Sequence, residues 1–174
     1  FDWQHAHADE CLVEDPETGK PMSASLIVPK SAEDLQRRHR AFDCFARYSN
    51  GMLGRTPDYV NVTLAGFVAR SDIFNAKGDT THSERLKRFY REVVEKDLSL
   101  THTIIHPVVD KGLPDTEGVN GEIALRVVKR TENSIIVRGA KILATLGPFA
   151  DELFVYPGQP QPPGTDPATL LAFS

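Results

Sequence analysis

Residues 97–111 read DLSLTHTIIHPVVDK, and the hydrophobic period changes inside them. Upstream, Leu86, Phe89, Tyr90, Val93 and Val94 recur at the spacing of one helical face. Downstream, apolar and β-branched residues alternate or gather in short runs bounded by Pro and polar turns, as in THTIIHP, EIALRVVKR, SIIVRGAKILAT and DELFVYP, with TEN as a turn between the second and third. Helices first and strands second give an α+β chain in which a sheet or barrel begins near residue 100.

Working outward toward the N-terminus, three helices precede the change. In the first, SAEDLQRRHRAFDCFARYSN, Ser31 is the N-cap with Asp34 at N3, Leu35, Phe42, Phe45 and Ala46 form the apolar face, and Gly51 closes the segment. For the second, Thr56 is the N-cap, Pro57 fits N1, Asp58 complements the helix dipole, and the helix runs through Val60, Leu64, Phe67 and Val68 toward Phe74. The third opens on a capping box, Thr81 with Glu84. The first thirty residues carry turn signals in EDPETGKP and a short apolar run, ASLIVP, suited to an arm or isolated strand. PGQPQPPGTDP reads as an extended, polyproline-like loop.

Composition limits the function classes. The chain has 174 residues, 40% hydrophobic and 25% charged, with a formal net charge of -4. These are the proportions of an ordinary globular protein without a nucleic-acid footprint. The densest basic cluster, LQRRHRAF, fits the solvated face of a helix. No apolar run approaches the ~20 residues of a membrane span, and FDWQHAHADE lacks the basic and apolar regions of a leader, so a cytoplasmic location is expected. Cys11 and Cys44, the two cysteines, are expected as free thiols and are too few for clustered Fe–S ligation. Beginning without Met and ending in the strand-like TLLAFS, the chain reads as part of a longer one.

Several clusters could carry chemistry. Arg55 would precede the N-cap of the second helix and Tyr59 would be its third residue, so both gather where unpaired N–H groups favour an anion. Spacing alone favours the simpler alternative, Arg55 paired with a carboxylate and Tyr59 packed in the core. His102 and His106 share one face of a strand with Asp110, but a convincing third metal ligand is lacking, so no metal is expected. HAHADEC, residues 5–11, resembles a metal motif but reads as a solvated terminus without framing structure. Neither a Gly-rich dinucleotide or P-loop motif nor a G-x-S-x-G element occurs, which leaves Rossmann, P-loop and serine-hydrolase chemistry unsupported.

Three ordered motifs, GRTPDYVNVTLAGF, DLSLTHTIIHPVVDK and TENSIIVRGAKILATLGPFADELFVYP, together resemble the oxygenase component of two-component flavin-dependent aromatic hydroxylases, the 4-hydroxyphenylacetate 3-monooxygenase family. The resemblance extends from about DPETGKP onward. It implies an acyl-CoA-dehydrogenase-like architecture: residues 1–98 as an N-terminal helical domain, residues 99–174 as the first part of a middle β-barrel, and a C-terminal helical bundle missing from this chain.

Matched residue by residue, the resemblance makes Arg55, Tyr59 and His102 the catalytic and substrate-binding set around the phenol oxygen, with His102 handling the proton. His102, Thr103 and Ile104 would contact FAD from a strand, Val108, Val109, Asp110 and Lys111 from the following turn, and Thr145 near the reactive face of the flavin. Arg is expected where Lys111 stands, and no residue is transferred from the variable substrate loop around PGQPQPPGTDP. The implied reaction is ortho-hydroxylation of a phenol by O2 through a flavin C4a-hydroperoxide, in a water-excluding site. A separate flavin reductase supplies reduced FAD (FADH2), and the complete protein is a homotetramer or dimer. Relatives use hydroxyphenylacetate, chlorinated phenols, p-coumarate and tyrosine-derived compounds, so the phenol stays open. The alternatives are a flavin-dependent 4-hydroxybutyryl-CoA dehydratase-like enzyme, disfavoured by the cysteine count, and a noncatalytic interaction module.

Overall fold

A computed structural model describes residues 2–52, 58–75, 77–113, 116, 120, 122–157, 163–170 and 172. The chain divides into two compact units, Phe1–Ser99 and Leu100–Ser174.

The first unit starts with two short helices, α1 (Asp2–Ala6) and α2 (Ala8–Cys11). HAHADEC is therefore framed rather than loose: Cys11 is completely buried, and His7 stacks on Trp3 with ring centroids 4.3 Å apart. Burial of one apolar thiol at the end of α2 organises a segment whose other side chains are polar. Strands β1 (Leu12–Glu14) and β2 (Pro21–Ser23) pair antiparallel, with Val13 opposite Met22. EDPETGKP forms the turn between them. Within it the Asp15 carboxylate accepts from Thr18 Oγ1 (2.6 Å) and the Glu17 amide (3.3 Å), and Gly19 takes a positive φ of 70°.

The run after β2 is not an arm or strand. Ala24–Leu26 forms a 3₁₀ turn because Ser23 Oγ accepts from the Ser25 amide, and Leu26 is driven into the core.

Helix α3 (Ala32–Tyr48) has the capping box read from its sequence: Asp34 N donates to Ser31 Oγ (3.1 Å), and Ser31 N to Asp34 Oδ2 (3.0 Å). Its buried positions are Ala41 and Cys44, however, while Leu35 is 54% exposed and Ala46 is also exposed. Leu35 lies nine residues before Cys44, about half a turn out of phase. The small Ala41 and Cys44 suit α3 for close approach, and α2 is its main helical neighbour.

Helix α4 (Tyr59–Ala69) buries Val60, Asn61, Leu64 and Ala65. Its N-cap is Asp58, whereas the expected Thr56 and Pro57 lie outside the described residues. The helix stops at Ala69 and a 3₁₀ turn, Ser71–Phe74, follows; there Phe67 and Phe74 meet edge to face. Helix α5 (Thr81–Lys96) buries Tyr90, Val93 and Val94. Its N-cap is Thr80, so the Thr81–Glu84 capping box does not form. The Asp79 carboxylate takes the Thr81 amide (2.9 Å), and Thr80 Oγ1 donates to Glu84 (2.6 Å). Asp79 thus wins the competition for the first orphan N–H. Tyr90 Oη donates to Leu26 O at 2.8 Å, joining α5 to the 3₁₀ turn. No helix among the described residues is long and apolar enough to cross a membrane.

In the second unit β3 (Leu100–Thr103) pairs in parallel with β6 (Glu152–Val155), with His102 opposite Phe154. Between them in sequence, β4 (Arg126–Arg130) and β5 (Ile135–Arg138) form an antiparallel hairpin, irregular between Val127 and Lys129. Isolated bridges join Ile105 to Ile142 and Ala124 to Ala140. The strands are shorter than their apolar runs: SIIVRGAKILAT leaves the ladder at Gly139, where φ is +120°. Leu100, Ala124, Phe154 and Val155 are buried here.

Candidate functional site

All four residues of β3 are buried, and three of them, Thr101, His102 and Thr103, are polar. A strand enclosed on both faces is ordinarily apolar, so this placement of polar groups marks β3 as the part of the second unit with chemistry to explain. His102 is 8% exposed, and its ring stacks against Tyr156 just beyond β6, with centroids 5.8 Å apart and planes inclined by 29°. The parallel register produces this pairing: His102 is opposite Phe154, and Tyr156 lies two residues further along on the same face.

The backbone around His102 is tied at several points. Thr103 Oγ1 donates to Ile142 O (3.0 Å). The Ile142 amide donates to Ile105 O (2.9 Å), and the Tyr156 amide reaches Thr103 O at 3.4 Å. Lys141 Nζ donates to Ile104 O (2.8 Å) and Tyr156 O (3.4 Å). Ile104 is half-buried within this arrangement.

The expected second contact segment has a different character. Val108 and Val109 are 58% and 51% exposed, and Asp110 and Lys111 are also exposed. Asp110 Oδ1 accepts from the Gly112 amide (2.8 Å), shaping the turn. Thr145 lies exposed at the start of a turn closed by Gly147 N to Ala144 O (2.8 Å). His102, Thr103 and Ile104 are thus assembled by shared hydrogen bonds, while Val108–Lys111 and Thr145 are on exposed loops.

In the first unit Tyr59 is half-buried and is the first residue of α4 rather than the third, because the N-cap is Asp58, two residues later than the expected Thr56. Asp58 Oδ2 accepts from Ser23 Oγ (3.3 Å); the Ser23 and Ser25 hydroxyls are 2.7 Å apart; and Asn61 Nδ2 donates to Ser25 Oγ (3.0 Å). This polar group fixes the start of α4 against the hairpin. Arg55 lies outside the described residues.

A groove of about 540 Å³ also lies in the first unit, lined among others by Val13, Met22, Ile27, Arg37, Tyr90 and Arg91. Among the described residues, none of those expected to bind substrate or flavin lines it. Among the described residues, no three His, Cys, Asp or Glu side chains are grouped to hold a metal ion. Sequence reasoning missed Tyr156 and Lys141; their signal is long-range pairing, invisible in local spacing.

Comparisons with known proteins converge. The family model described as "4-hydroxyphenylacetate 3-hydroxylase N terminal" matches residues 1–174. The 4-hydroxyphenylacetate 3-monooxygenase oxygenase component of Geobacillus sp. (strain PA-9) is 35% identical over 172 residues, 98% of this chain and 35% of that protein. A crystal structure of such an oxygenase component complexed with FAD and 4-hydroxyphenylacetate matches with a TM-score of 0.86 and 34% identity, covering 99% of this chain and 35% of the other. A 4-hydroxybutyryl-CoA dehydratase from N. maritimus matches with a TM-score of 0.74 at 18% identity, over 90% of this chain and 31% of that one, a likeness of fold alone. The chain therefore spans about a third of the length of the relatives it matches.

Proposed function

The chain belongs to the 4-hydroxyphenylacetate 3-hydroxylase N-terminal family, and from that premise we propose that it is the N-terminal part of a reduced-FAD-dependent monooxygenase that hydroxylates a phenol ortho to its hydroxyl group. The observation that carries the proposal is its 34% identity, over 99% of its length, to a relative crystallised with both FAD and 4-hydroxyphenylacetate. In the proposed complete protein, a middle β-barrel beginning at residue 99 and a C-terminal bundle complete an acyl-CoA-dehydrogenase-like subunit of a homotetramer or dimer. A separate reductase supplies the reduced flavin. Free Cys11 and Cys44 suit a cytoplasmic setting.

The residues present fit a flavin. A flat ring system needs an apolar surface and polar groups along its edge; exposed Val108 and Val109 offer the former, and β3 with the Asp110 turn offers the latter. His102, Thr103, Ile104, Val108, Val109, Asp110, Lys111 and Thr145 would hold it. Bound reduced FAD supplies two electrons, so that one atom of dioxygen enters the ring and the other leaves as water.

The side chains do the rest. In the proposed reaction Arg55 and Tyr59 would donate to the phenol oxygen and stabilise negative charge, and His102 would take the phenolic proton. Burial of His102 keeps competing water from that proton. The phenol itself is 4-hydroxyphenylacetate or a close analogue.

The test uses the full-length protein. Anaerobic protein with reduced FAD is mixed with oxygen, with and without 4-hydroxyphenylacetate, and catechol product is quantified. Product should require all components, and Arg55→Ala and His102→Ala should each lower turnover on the order of a hundredfold while changing flavin affinity much less. Oxidation of reduced FAD at its free-solution rate without catechol would overturn the activity. Undiminished product in both variants would remove these side chains from the mechanism.

A further inference from the structure

Lys141 occupies a point in the second unit where three stretches of backbone converge. Its own main chain is held on both sides: the Ala140 amide donates to Ile123 O (2.8 Å) and the Ile142 amide to Ile105 O (2.9 Å). Gly139, immediately before, packs so tightly against residue 124 that a side chain there would run into the Ala124 carbonyl. With its backbone fixed, the half-buried lysine sends its ammonium to two carbonyls that belong to different strand ends. One is Ile104 O at 2.8 Å, just past β3; the other is Tyr156 O at 3.4 Å, just past β6.

Those two residues bracket the ring pair of the candidate site. Ile104 follows His102 by two positions, and Tyr156 carries the ring stacked on His102. An ammonium has three donors on one small centre and can serve two carbonyls at once; its charge makes each bond stronger than a neutral one. Other ties between these segments include the parallel β3–β6 ladder, the Ile142–Ile105 amide bond, a Thr103–Ile142 side-chain bond and a long Tyr156–Thr103 amide bond of 3.4 Å. The parallel pair is short, four residues on each strand, so an end tie has a large share in fixing its register.

We infer that Lys141 is a positioning residue: by clamping the ends of β3 and β6 together through the Ile104 and Tyr156 carbonyls, it fixes the His102–Tyr156 stack against which flavin and phenol are aligned. The inference rests on the monooxygenase reading for its catalytic consequence, though not for the clamp itself. A neutral side chain would leave both carbonyls without the charged donor and free β6 to shift relative to β3. The consequence would fall on alignment, so oxidising equivalents would escape as hydrogen peroxide instead of entering the ring.

Full-length Lys141→Met and Lys141→Arg proteins, with Lys141→Gln as a second neutral variant should Met not fold, separate the possibilities. Three readouts are needed: hydrogen exchange of peptides covering 100–106 and 140–157, the FAD dissociation constant, and the ratio of catechol to peroxide formed. The neutral variant should exchange about tenfold faster in both segments, with α3 peptides unchanged. It should also bind FAD about tenfold more weakly and lower the product-to-peroxide ratio about fivefold, with Arg restoring most of each. Unchanged exchange overturns the clamp. Faster exchange with wild-type FAD affinity and product ratio overturns the positioning role and leaves a tie of stability alone. Failure of the monooxygenase reading is distinct: the wild-type protein would form no catechol, and the clamp would then be judged by exchange.

Discussion

At the scale of single residues, Asp15 illustrates how a turn residue becomes a fold determinant. Its carboxylate is 2% exposed and takes two hydrogen bonds from Arg91, at 3.1 and 2.8 Å. The Arg91 guanidinium, aided by Thr18 and the Glu17 amide, holds this carboxyl well below its ordinary value of 3.8 despite the opposing cost of desolvation. The folded state therefore binds that proton less readily than the unfolded chain, so the stabilisation is complete above about pH 4 and is lost as pH falls through the folded value. Asp15→Asn should lower the unfolding free energy by about 3 kcal/mol at neutral pH, and urea titrations should show the gap from wild type narrowing below about pH 4. A constant gap across that range would remove Asp15 ionisation as the cause. Cys11 gives a second test: burial, then the neighbouring Cys44 thiol, pushes its thiol up to about 12. In native protein at pH 8 neither buried thiol should react with a disulfide reagent until urea is added, whereas fast native labelling would contradict the packing of α2 on α3. Nothing in local sequence joins the two cysteines; their adjacency depends on how α2 packs on α3.

At the scale of elements, helix existence was legible and helix starts were less so. Ser31 and Asp34 have no rival, and their capping box forms as the sequence indicates. At α5, Asp79 takes the Thr81 amide and the Thr80 hydroxyl donates to the Glu84 carboxylate, so the two residues before Thr81 displace its box. In α4, Tyr59 opens the helix after an Asp58 held by Ser23, a residue 35 positions away; local spacing contains no trace of it. The strands of the second unit were found but overextended, because alternation says nothing about where a partner strand ends, and the β1–β2 hairpin was missed because three residues are too few to show a period. Gly139 is such an end. With φ at +120° and the Ala124 carbonyl in the path of any Cβ, Gly139→Ala should destabilise the second unit by about 2 kcal/mol. Retention of full stability would mean that the bridge between Ala124 and Ala140 yields easily.

At the scale of the whole molecule, the second unit leaves Val108, Val109, Ile136, Leu143 and Phe149 exposed, large apolar side chains that a further part of the protein could cover. The 174-residue chain alone should enhance the fluorescence of an apolar dye such as ANS, and the full-length protein severalfold less per chain; equal enhancement would show that these side chains stay exposed. The sequence by itself determined that the three long helices precede the strands of the second unit, the change of period near residue 100 and, through three motifs, the family, because local periodicity and short motifs are properties of neighbours along the chain. Arg55, Tyr59 and His102 became candidates through that family resemblance; spacing alone favoured a plainer explanation. Only the tertiary structure decided that β3 pairs in parallel with β6, that His102 therefore stacks on Tyr156, and that Lys141 joins the two strand ends. Those contacts join residues from 15 to 54 positions apart, and a pairing of that range is selected by burial and hydrogen bonding across the folded unit, which no local pattern encodes.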